Sequence, residues 1–128
     1  MAAAILKAQG ADGGAEVSGA LSTAMSAEAA ASGPPATEVM LGPGQGWVPE
    51  EAITVATYCA LTAQDFRCGV LLAVNHGGDS DSTGAICGNL LGAYLGAGAI
   101  DADLLDGLEG RDAIIQVADD LHDVFATR

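Results

Sequence analysis

Basic residues and aromatics are both scarce in this chain. Only 4 Lys and Arg (Lys7, Arg67, Arg111, Arg128) stand against 17 acids, a net charge of -13. A surface this negative repels phosphate backbones and anionic lipid, so the sequence argues against nucleic acid and membrane partners and leaves metal cations in play. Most of the acids need no role beyond keeping an apolar chain soluble. Aromatics make up 4% of a sequence that is 50% apolar, and alanine and glycine dominate it. That composition favours closely packed small-residue helices over a sandwich of β-branched strands, so the expected fold class is all-α, a compact helical bundle. Cysteine is sparse too: Cys59, Cys68 and Cys87 are odd in number and form no CxxC, which reads as buried small hydrophobes in a reducing compartment. No run approaches the ~20 apolar residues of a membrane span. The opening "MAAAILKAQGADGG" carries one Lys and a short apolar stretch, a poor signal peptide, so the expected location is cytoplasmic.

At 128 residues there is room for one small core. Residues 1–40 form an Ala/Gly-rich segment that closes on a proline linker, "SGPPATE", and residues 41–128 carry the informative patterns. Alanine favours helix in the first segment while Gly10, Gly13, Gly14 and Gly19 oppose it, which predicts helical pieces of uncertain register. "LGPGQGW" is a turn-rich loop, and Pro49-Glu50-Glu51 has the chemistry of a first helical turn, predicting a helix to about Ala63. Asp65 is placed to cap a third helix, "FRCGVLLAVN", although its run Val70 to Val74 is apolar on every side and periodicity there fits a buried strand as well, and a fourth helix runs from about Asp81 to Leu95. In that helix Gly84, Gly88, Gly92 and Gly96 recur every fourth residue, and the expected reason is close approach of a neighbouring helix along the stripe. An acidic connector leads to "RDAIIQVADDLHDVF", amphipathic with Ile114, Val117, Ala118, Leu121 and Phe125 on one face. Five helical pieces result.

Polar chemistry is concentrated between Gly77 and Thr83, where two glycines, two acids and three hydroxyls interrupt apolar runs. Asp79 and Asp81 lie two apart in a loop entering a helix, and Ser82 adds a third oxygen, a set suited to a hard divalent cation. Gly77 and Gly78 let the backbone approach closely just before these ligands. His76 is a candidate ligand or substrate contact. The plain alternative is a helix start in which one acid is only an N-cap. An EF-hand fails because its twelfth position would be Leu90, and a phosphate loop fails for want of GxGxxG or a Gly-Lys-Ser/Thr. A serine hydrolase of the GDS type would use Gly78-Asp79-Ser80 with Asp119 and His122, a rival that the helical pattern between these elements disfavours.

"GGDSDSTGAICGNLLGAYLG", preceded by "GQGWVPEEAITVATYCAL", closely resembles the C-terminal part of the ADP-ribosylglycohydrolase family, with continuity from about Leu41 to Phe125. The resemblance implies a compact all-α fold with two magnesium or manganese ions in a cleft, and metal-assisted hydrolysis of an ADP-ribosyl N- or O-glycosidic bond. It implies that Asp79, Asp81 and Ser82 are metal ligands and that His76, Gly77 and Gly78 face the ADP-ribosyl substrate. In the family the metals would hold ribose hydroxyls while water attacks the anomeric carbon. The family also carries a Thr-Asp-Asp type motif and a catalytic acid in an N-terminal segment. Here the early acids Asp12, Glu16, Glu28 and Glu38 are isolated, so no catalytic residue is assigned. The expectation is therefore a C-terminal fragment of the larger fold, inactive alone and dependent on a separate N-terminal half. A non-catalytic metal- or ADP-ribose-binding remnant and a small helical interaction domain are the alternatives.

Overall fold

The computed structural model describes residues 14–30 and 44–126. They form six α-helices, α1 Gly14–Ala30, α2 Pro49–Thr62, α3 Phe66–Val74, α4 Ser80–Leu95, α5 Ala102–Asp106 and α6 Arg111–Phe125, with a 3-10 turn at Ala97–Ala99. No strand occurs among the described residues, as the composition predicts. The predicted Pro34-Pro35 linker and the first 13 residues lie outside them.

Local chemistry sets most of the boundaries. Pro49 opens α2 where no amide is needed, followed by Glu50 and Glu51 at the positive end of the helix dipole. Asp65 caps α3 by accepting the Cys68 N–H at 2.7 Å. The fourth helix stops at Gly96, which takes a left-handed φ of 83°.

Helix α2 is the centre, packed against α1, α3 and α4, with α3 also packed on α4. The core joins Ala24, Val55, Ala56, Tyr58, Cys59, Ala73, Cys87 and Leu91. Its side chains are mostly small, so helices sit close together and each buried residue removes little apolar area from water. Ala56 and Tyr58 are fully buried as expected from α2, whereas Ile53 and Ala60 are only half-buried.

The glycine stripe of α4 does not behave as one unit. A methyl at Gly84 would overlap Val74, but one at Gly88 would meet Val70 only at ordinary contact distance, 3.9 Å, and one at Gly92 would meet nothing. Gly96 is the helix terminator. A second close approach, off the stripe, lies at Gly69 of α3, where a methyl would overlap Leu91 and sit 2.9 Å from the Ala63 methyl.

Arg67 ties the C-terminal segment to α3 by pairing with Asp101 at 3.0 Å and with Asp103. The Arg67 guanidinium holds the Asp103 carboxyl below the usual carboxylate range. Beyond this anchor α6 is amphipathic as predicted, yet Ile114, Leu121 and Phe125 are 53%, 54% and 64% exposed. No residue of α6 is buried by the other described residues. No helix among the described residues is long and apolar enough to cross a membrane.

The cysteines are free thiols, with Cys59 and Cys87 buried and Cys68 half-buried. Burial pushes the Cys59 thiol up to about 12 and the Cys87 thiol up to about 11. A thiol reagent at mildly alkaline pH should therefore modify Cys68 in the native protein and reach Cys59 and Cys87 only after denaturation. Rapid native labelling of all three would contradict this core.

Candidate metal-binding loop

The segment between α3 and α4 is braced from three sides. The first brace is His76, whose Nδ1 accepts the Gly78 N–H at 3.0 Å. The ring proton therefore sits on Nε2, directed at the Thr83 hydroxyl 2.8 Å away. The second is Thr83 itself, fully buried, whose hydroxyl lies 2.8 Å from the Ala73 carbonyl oxygen and 3.0 Å from that of Asp79. The third comes from the loop before α2: the Asp79 N–H donates to the Gln45 carbonyl at 2.8 Å. A methyl at Gly78 would overlap that carbonyl, which explains the glycine without any special φ. Gly77 has open space around it.

This bracing leaves the acidic side chains free to gather. Asp79 stands at the N-cap position of α4; its side chain makes no geometric capping bond, but the Ser82 N–H is near enough to help hold its carboxyl down, so a helix-start role stands beside a ligand role. The neighbouring Asp81 carboxyl and Ser82 hydroxyl hold the Asp79 carboxyl below the usual carboxylate range. The Ser82 N–H in turn donates to Asp81 Oδ1 at 3.1 Å. Asp81 is exposed, Asp79 and Ser82 half-buried. Two carboxylates this close repel one another unless a proton or a cation lies between them. The hard oxygen donors Asp79, Asp81 and Ser82 thus fit one side of a divalent ion's shell. Among the described residues no cluster of three or more His, Cys, Asp or Glu forms.

Of the six residues singled out from the sequence, Asp79, Asp81 and Ser82 come together, while His76 and Gly78 form the turn that presents them. Both nitrogens of His76 are engaged within the loop. Asp119 and His122 lie exposed on α6, and no hydrogen bond joins them to each other or to Ser80, which leaves the GDS hydrolase arrangement unassembled. Sequence reasoning missed Gln45, Glu51 and Thr83. The Glu51 carboxylate accepts the Gln45 and Gly46 N–H groups at 3.0 and 3.1 Å, holding the loop that meets Asp79. Its signal was the Glu50-Glu51 pair, read as helix-dipole chemistry and, with Gly46-Trp47, as a G-W-x-x-E-E element of the family resemblance, with no site role assigned. An open cavity of ≈ 200 Å³ lined by Gly44, Glu50, Glu51 and Thr54 lies between α1 and α2, away from the Asp79 carboxylate.

Comparison with known proteins agrees with the loop. The ADP-ribosylglycohydrolase family matches residues 1–128. The match extends the likeness beyond the 41–125 stretch expected from the motifs to the Ala/Gly-rich segment, consistent with α1 packing on α2. An uncharacterized protein of Archaeoglobus fulgidus is 35% identical over 74 residues, 58% of this chain and 24% of that relative. The aligned stretch thus spans about a quarter of the relative's length. No solved structure matches. A motif loop that gathers its acids at the start of a helix, in an all-α fold matched from end to end, places the chain in the ADP-ribosylglycohydrolase family.

Proposed function

We propose that this chain supplies one side of a divalent-metal site that hydrolyses an ADP-ribosyl N- or O-glycosidic bond, and that it works with a complementary segment supplying the other side. The observation that carries the reading is the convergence of Asp79, Asp81 and Ser82 at the start of α4. Those three residues would hold Mg2+ or Mn2+, and a bound ion of this kind supplies Lewis-acid polarisation and a template for substrate hydroxyls. Gly77, open to solvent, and Gly78 offer the backbone to the ADP-ribosyl group, and His76 fixes the turn in which both stand. Hydrolysis adds water across the bond from the anomeric carbon, releasing ADP-ribose and the acceptor side chain.

The need for a complement rests on two further points. Two acids and a hydroxyl leave a divalent ion mostly hydrated, which gives roughly millimolar affinity. The apolar stripe of α6 exposes Ile114, Val117, Leu121 and Phe125 together, the pattern of a helix that packs on something more. We assign its cover to the remainder of a glycohydrolase domain, because most of the Archaeoglobus relative lies outside the matched stretch.

Two measurements test this reading. Mn2+ titration followed by electron paramagnetic resonance should show weak binding that Asp79→Asn and Asp81→Asn each remove; binding unaffected by both would overturn the ligand assignment. ADP-ribose release from a modified arginine or serine peptide should be absent with the chain and Mg2+ alone. It should appear when a segment carrying the family's Thr-Asp-Asp motif is added, and disappear again in Asp79→Asn. Turnover by the chain alone would overturn the need for a complement.

A further inference from the structure

We infer that Glu51 is a positioning residue for Asp79, acting through the backbone of the loop at residues 44–46. The inference deepens the metal-site reading and rests on it for its functional meaning. An acid in the first turn of a helix ordinarily faces the amides of its own helix. Glu51 instead turns its Oε2 outward to the Gln45 and Gly46 N–H groups, at 3.0 and 3.1 Å. One charged oxygen thereby holds two consecutive amides, a charge-assisted pairing that fixes the peptide plane between them. The carbonyl of the same Gln45 accepts the Asp79 N–H at 2.8 Å. A single residue therefore stands between the Glu51 carboxylate and the backbone of the first metal ligand.

Three glycines clear the space for this connection. A methyl at Gly44 would overlap the Glu51 carboxyl, and one at Gly78 would overlap the Gln45 carbonyl. Gly46 has a left-handed φ of 84°, and a methyl there would crowd the Thr83 methyl at 3.1 Å and the Asp79 Cβ at 3.6 Å. Gly44 thus lies against the Glu51 carboxyl, while Gly46 and Gly78 lie where the loop at residues 44–46 meets Asp79 and Thr83. Trp47, the one tryptophan of the chain, reports on the same junction, since its indole N–H donates to the Gln45 side-chain oxygen at 3.2 Å.

Glu50 occupies the same helical turn without touching these amides and provides the control for dipole effects. The experiment uses the full chain and three readouts: Mn2+ affinity by electron paramagnetic resonance, exchange of the Asp79 amide proton by NMR, and Trp47 emission. Glu51→Ala should weaken Mn2+ binding by about 10-fold or more, as loss of an outer-shell brace does. It should also speed Asp79 amide exchange and shift Trp47 emission. Glu51→Gln keeps an acceptor oxygen at the same reach and should recover most of the wild-type behaviour, whereas Glu50→Ala should change none of the three. Should Glu51→Ala fail to fold, Glu51→Asp, which keeps the charge but falls one methylene short, carries the test with the same expected losses. A folded Glu51→Ala or Glu51→Asp with wild-type Asp79 exchange overturns the inference. Absence of Mn2+ binding in the wild type, with Asp79 exchange still dependent on Glu51, would instead sink the metal reading and leave the positioning intact.

Discussion

Thr83→Val should destabilise the fold by about 2–3 kcal/mol, while the same exchange at Thr57 should stabilise it by up to about 1 kcal/mol. Both threonines are buried, at 0% and 1% exposure, on helices packed against each other. They differ in what the hydroxyl does. The Thr83 hydroxyl accepts from His76 Nε2 and donates its single proton, with the Ala73 carbonyl the nearest acceptor at 2.8 Å. Ala73 sits in the last turn of α3, where carbonyls have no helical donor ahead of them. Valine there removes the partner of a buried carbonyl and of the imidazole together. The Thr57 hydroxyl has no hydrogen-bond partner, so valine removes an unpaired polar atom at constant shape. Denaturant unfolding of the two variants followed by circular dichroism checks the signs, and Thr83→Ser should recover part of the loss because it restores the hydroxyl. A neutral Thr83→Val would mean that the hydroxyl does not link α3, His76 and α4.

The contrast between these two threonines shows which parts of the architecture can be read along the chain. Helix starts were legible where their chemistry is local, Pro49 with two acids behind it and Asp65 three residues from the amide it caps, whereas Gly96, read as part of the stripe, is the terminator. The grouping of Asp79, Asp81 and Ser82 was legible for the same reason, since the three fall within four consecutive positions and need only one turn to come near one another. Connections between elements, 10 to 34 residues apart, were not. That the Gln45 carbonyl meets the Asp79 amide, or that Thr83 spends its hydroxyl on Ala73, depends on how α2, α3 and α4 pack. Amphipathicity likewise identified the apolar stripe of α6 but carried no information about what covers it, because periodicity describes one surface and packing requires two.

Gly69→Ala and Gly92→Ala provide the second matched pair, and they divide the helix-propensity cost of glycine from its packing use. Replacing glycine by alanine inside a helix is worth about 0.5–1 kcal/mol through backbone entropy alone. At Gly92, where the added methyl meets nothing, that gain should appear undiminished. At Gly69 the methyl would overlap Leu91 and stand 2.9 Å from the Ala63 methyl, with Cys87 Sγ at 3.6 Å behind them. Leu91 is 4% exposed and belongs to the core, so moving it aside displaces other buried side chains. Overpacking of this kind costs about 1–3 kcal/mol and exceeds the propensity gain. Thermal unfolding should therefore rank Gly92→Ala above the wild type and Gly69→Ala below it. The reverse order would place a tight helix contact at Gly92 and not at Gly69, the single glycine of α3 on which α4 closes.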